Sequence, residues 1–79
     1  MKVFKKDDKV TIAMNGKVVD ATVTLASPNG VSLMVTFDGA IGGVEGGIYV
    51  GMMPIMYDEE RKVFTDLIAG RIVDINPVR

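Results

Sequence analysis

The chain has 79 residues, nine Lys and Arg against ten Asp and Glu, and neither His nor Cys. That length gives room for one hydrophobic core, and the missing imidazoles and thiols remove the commonest general base, the commonest zinc ligands, thiolate nucleophiles and any disulfide, so no metal or cofactor is expected. With a net charge of −1 the domain as a whole has no attraction for a polyanion, while 48% apolar residues is high for a chain whose small size leaves much of its surface in water.

Charge concentrates at the start. The first 17 residues hold Lys2, Lys5, Lys6, Lys9 and Lys17 against Asp7 and Asp8, and the remainder is net −4. No apolar stretch follows these charges as it would in a signal peptide, and the longest uncharged run, Ala21 to Phe37, is broken by Pro28, Asn29 and Gly30. A cytoplasmic protein without a membrane segment is the expectation. The five lysines could touch a nucleic-acid backbone, but Lys on a first strand also serves to discourage strand addition, and there are few aromatics to stack bases.

Lys9 to Met14 and Lys17 to Ser27 both alternate apolar and polar residues around Asn15-Gly16. Asn-Gly accepts the two positive φ angles of a type I′ turn, so the pair predicts an antiparallel hairpin. Ser27-Pro28-Asn29-Gly30 predicts the next turn, and Val31 to Phe37 a third strand. The period of two places Val10, Ile12, Val19, Val23, Leu25, Val31, Leu33, Val35 and Phe37 in the core.

Six glycines fall between Asp38 and Gly51. Such density weakens helix and strand alike, and predicts a long flexible loop carrying Gly39, Gly42, Gly43, Gly46 and Gly47, with strand resuming near Ile48. A phosphate loop is not expected: no Lys and hydroxyl residue follow the last glycine, and Glu45 would repel an anion.

Met52 to Tyr57 and Arg61 to Thr65 flank the acidic Asp58-Glu59-Glu60 and predict a second hairpin. With Asp58 to Arg61 as the turn, Met53, Ile55, Tyr57 and Phe64 share one face, and Met52, Pro54, Met56, Val63 and Leu67 the other. Both faces are apolar, although a small barrel buries only one, and Pro54 belongs at an edge or a bulge. One short turn over Asp66 to Ala69, closed by Gly70, leads to a last strand from Arg71 to Ile75 that Asn76-Pro77 ends.

Five or six strands with at most one short 3-10 turn near residues 66–69 suit a closed all-β barrel. The order of meander, loop, hairpin, short turn and final strand resembles the SH3-like small barrels over most of the chain. The proline-binding SH3 domains carry a tryptophan in their groove, and this chain has none, so recognition of PxxP peptides is not implied. An OB-like barrel would need a helix where the glycines lie.

Asp58, Glu59, Glu60, Asp66 and Asp74 are the carboxylates available for acid–base work, but two acids in one turn read more simply as a solvated hairpin tip, and no catalysis is expected. The excess of apolar residues favours a protein-interaction module that contacts itself as a homodimer, or another protein, through Tyr49, Met52, Met53, Met56, Tyr57 and Phe64. Methionine side chains repack readily at such contacts. The alternative is a nucleic-acid- or small-ligand-binding barrel that uses the five lysines or the glycine-rich segment.

Overall fold

Asn15 and Gly16 both have positive φ, 52° and 79°, and join β1 (Lys9–Met14) to β2 (Lys17–Ala26) with Met14 paired to Lys17. The two-residue turn predicted for this pair is therefore formed. The computed structural model describes residues 3–43 and 45–78. Ser27, Pro28, Asn29 and Gly30 turn β2 into β3 (Ser32–Gly43). The Ser27 Oγ accepts the Ser32 amide at 3.0 Å, and Gly30, at φ 74°, donates its amide to the Ser27 carbonyl.

β4 (Gly47–Asp58), β5 (Val63–Asp66) and β6 (Ile72–Pro77) complete a closed antiparallel barrel in the order β1-β2-β3-β4-β5-β6. β6 returns to β1 with Ile12 opposite Ile75, so the barrel has no free outer strand. Its interior holds Phe4, Val10, Ile12, Met14, Ala21, Val23, Leu33, Val35, Phe37, Ile41, Tyr49, Met53, Ile55, Phe64 and Val73. The all-β class, the single short turn after Asp66 and the small SH3-like architecture hold among the described residues, none of which is helical.

The structure corrects four expectations. The glycine-rich segment is not a loop: Gly39, Gly42 and Gly43 lie in β3 and Gly47 and Gly51 in β4, whose pairing continues from Ala40↔Val50 to Gly43↔Gly47. Glycine serves close approach here. A Cβ on Gly46 would lie 2.8 Å from the Ala69 Cβ and 3.0 Å from the Arg71 guanidinium carbon. Its density also permits a bend, because the β3–β4 register shifts between Thr36 and Ala40, where Gly39 and Gly51 have φ of 89° and 77°.

Leu25 is outside, 64% exposed, because a bulge follows Val23: Val23 pairs with Val35 but Leu25 with Met34, and the extra residue reverses the face. Val19 and Val31 are only partly buried. In the second hairpin Tyr57 lies opposite Phe64 and Asp58 opposite Val63, so the turn is Glu59 to Lys62, one residue later than expected. That shift moves the pairing by two positions and preserves the faces: Met53, Ile55 and Phe64 point in, Met52 and Met56 out. Finally, β6 runs on through Asn76 and Pro77, which pair with Thr11 and Val10.

Truncation of Leu33 to Ala should cost about 2–5 kcal/mol because a fully enclosed leucine leaves a cavity. Leu25→Ala should cost well under about 1 kcal/mol, as exposed positions do. Chemical denaturation of both variants checks the pair, and similar losses would mean that the bulge is misplaced.

Candidate functional site

β4 is twelve residues long and β5 only four, so their pairing is confined to Ile55–Asp58 against Val63–Asp66. Pro54 sits just before this paired stretch, on a strand whose flank is open there, in keeping with its missing N–H. Beyond it, side chains rather than backbone join β4 to the β5–β6 end. Asp66 is the last residue of β5 and shares the inward side with its partner Ile55.

The Asp66 carboxylate is 1% exposed and fully engaged. Oδ2 accepts the Tyr49 hydroxyl at 2.8 Å, the Ala69 amide at 3.0 Å and Arg71 Nη2 at 3.2 Å; Oδ1 accepts the Arg71 amide and Arg71 Nε. Gly70, at φ 69°, donates its amide to the Asp66 carbonyl and closes the turn. The Arg71 guanidinium then reaches across to the carbonyls of Glu45, Gly46 and Gly47 at 2.8–3.1 Å, and stacks 5.8 Å from the centre of the Tyr49 ring. The Tyr49 hydroxyl in turn accepts the Ile68 amide at 3.3 Å.

Burial alone would raise the Asp66 pKa, but the donors from Arg71, Ala69 and Tyr49 outweigh it and hold the carboxyl well below the usual carboxylate range. Burial, together with the hydrogen bond to Asp66, pushes the Tyr49 hydroxyl up. Every lone pair that could act as a base at Asp66 already has a donor, and this arrangement reads as a structural clamp.

The outer surface of β4 is of a different kind. From Gly47 to Tyr57 the strand has no charged residue, and its outward side chains Ile48, Val50, Met52 and Met56 are 62%, 74%, 54% and 44% exposed. Ile48 and Val50 stand opposite Gly42 and Ala40, which are too small to cover them. Further along, Pro54 lies opposite Met34, and Met34 opposite the bulge-exposed Leu25, so an apolar line runs across β4, β3 and β2 with Met52 and Met56 on either side of it.

No protein-family model, curated protein or solved structure matches this chain. The assignment of a site therefore rests on its own geometry.

The expected interaction surface divides. Tyr49, Met53 and Phe64 are core residues, buried because their strand positions face inward, and this part of the expectation is corrected. Met52 and Met56 are exposed on the outer face. Tyr57 is half-buried against Phe64, with ring centroids 5.2 Å apart, and with Phe4 these rings line a shallow cleft of about 250 Å³.

The lysines do not converge. Lys9 donates to the Thr22 hydroxyl and Lys17 to the Ala40 carbonyl at opposite ends of the first hairpin; Lys5 and Lys6 precede β1, and Lys2 lies outside the described residues. Asp58 accepts the amides of Glu60 and Arg61 and pairs with Arg61 Nε at 2.7 Å, which makes it the cap of the Glu59–Lys62 turn; its hydrogen bonds with the Arg61 side chain lower its pKa. Asp74 is exposed on β6.

Sequence reasoning missed Ile48, Val50 and Leu25 on the surface and the Asp66–Arg71–Tyr49 cluster. The signal for the first two was the absence of charge from Gly47 to Tyr57.

Because the folded-state pKa of Asp66 is depressed, its contribution is present above the unfolded carboxylate value near 4 and is lost as pH falls through the lower folded value. Melting temperature should therefore fall on acidification below about pH 5 in the native protein. Asp66→Asn should be less stable at pH 7, by about 1–3 kcal/mol from unmatched donors, and flatter in acid. Parallel acid slopes in the two proteins would contradict this assignment.

Proposed function

We propose that the barrel is a non-catalytic interaction module that associates with a second copy of itself through β4 and the apolar face that β4 shares with β3 and β2. The observation that carries this reading is the eleven-residue uncharged run Gly47–Tyr57, whose outward side chains Ile48, Val50, Met52 and Met56 stand in water. Soluble monomers seldom leave such a row uncovered, and an exposed strand is normally guarded by Lys or another charge.

A second copy is the fitting occupant on two grounds. The contact row offers no charge that a complementary partner would need to match, and a surface without charge meets its own copy without repulsion. Isologous pairing about a two-fold axis also uses one patch twice, the simplest way for a short chain to add buried area. Methionines at 34, 52 and 56 suit such a contact because their unbranched side chains repack against one another. Nothing in this reading requires a cofactor, and the saturation of Asp66 supports a role without catalysis.

Light scattering on the native protein should give twice the 8.5 kDa chain mass and little change on raising salt. Val50→Lys should return the mass to that of one chain, because an ammonium in an apolar contact has no partner, while circular dichroism keeps the native β signature for so exposed a position. A native protein of single-chain mass at high concentration overturns the proposal.

A further inference from the structure

The flank of β4 that faces away from β3 is unpaired over most of its length. β5 covers it only from Ile55 to Asp58, and Arg71 takes the Gly47 carbonyl at the far end. Among the described residues no backbone hydrogen bond joins Ile48–Met53 to any element other than β3. We infer that two copies of the chain pair along this flank, β4 against β4 in antiparallel orientation, about a two-fold axis at Val50.

This inference rests on the self-association proposed above and specifies its geometry. A strand that meets its own copy across a two-fold axis is necessarily antiparallel, and needs no partner of different sequence. Centred on Val50, the register sets Val50 against Val50, Ile48 against Met52, and Tyr49 against Gly51. The first two pairs join exposed apolar side chains on the outer face. In the third, the large Tyr49 meets the one residue of the segment without a side chain, so the inward side offers no clash. Slipping the register by two would place Tyr49 against Tyr49 or Met53, both inward-pointing and large.

The ends of the segment bound the pairing. Pro54 cannot donate to a ladder, and Gly46 turns away into the clamp beneath Arg71. The bend at Gly51, φ 77°, keeps the paired stretch short, which distinguishes a closed dimer from an open fibre. Ile68, 73% exposed and tied by its amide to the Tyr49 hydroxyl, adds apolar surface beside the same flank.

The cysteine-free chain permits a clean cross-linking test. Val50→Cys should oxidise to a disulfide dimer as the predominant species, because a residue on the axis lies directly opposite its copy. Ile48→Cys and Met52→Cys alone should stay largely uncross-linked, yet a mixture of the two should cross-link, since each opposes the other. Met34→Cys, on the outer face away from the flank, should not cross-link. Light scattering of the unoxidised proteins accompanies each reaction. A dimer that cross-links at Met34→Cys and not at Val50→Cys overturns strand pairing and leaves self-association standing, whereas a monomeric native chain overturns both.

Discussion

β5 contributes four residues to the ladder where β4 offers twelve, so between Gly47 and Pro54 the barrel wall is held to the β5–β6 end by one buried carboxylate and its donors. Asp66 collects the turn amides of Ala69 and Arg71, the hydroxyl of Tyr49 and the guanidinium of Arg71, and through Arg71 it fixes the three carbonyls at the tip of the β3–β4 hairpin. The inward-facing Tyr49 also takes the Ile68 amide on its hydroxyl, so the 67–70 turn is tied into the same closure.

A buried ion pair is weak evidence for net stability, because taking both charges out of water offsets most of their attraction. Its value here is positional. With every polar atom matched, and no buried side-chain nitrogen or oxygen among the described residues left without a partner, the cluster admits one arrangement of three separate segments. Closure by side chains has a second effect: strand pairing would have consumed the flank of β4, whereas a clamp at its two ends leaves the middle open. The clamp that completes the barrel thus also leaves the middle of the β4 flank without a strand partner.

Much of this was legible in the residues. Asn15-Gly16 demands two positive φ angles and so set the first hairpin, and the period of two placed Val10, Ile12, Val23, Leu33, Val35 and Phe37 inside. The face assignment in the second hairpin survived an error in its turn, because pairing shifted by two positions rather than one. What escaped were features without a local signature. A bulge after Val23 is decided by packing of β2 on β3 and reverses Leu25 alone; glycines that looked like a loop are required by the approach of Arg71 and Ala69, far away in sequence. Asp66 read as a turn residue, and its burial depends on Tyr49 and Arg71, which no spacing rule connects to it.

The apolar outer row of β4 becomes intelligible against that architecture. An uncharged segment, Ile48–Met53, with one flank unpaired and three exposed apolar side chains either invites aggregation or has a dedicated occupant, and its bend, the Pro54 that follows it and its self-complementary register favour a bounded two-fold contact. Residue-resolved amide hydrogen exchange as a function of protein concentration addresses this most directly. Alternate amides between Ile48 and Met53, those that point away from β3, should exchange rapidly in dilute protein and become protected as concentration rises, while the amides bonded to β3 remain slow throughout. Rapid exchange of the outward amides at every concentration would contradict the account.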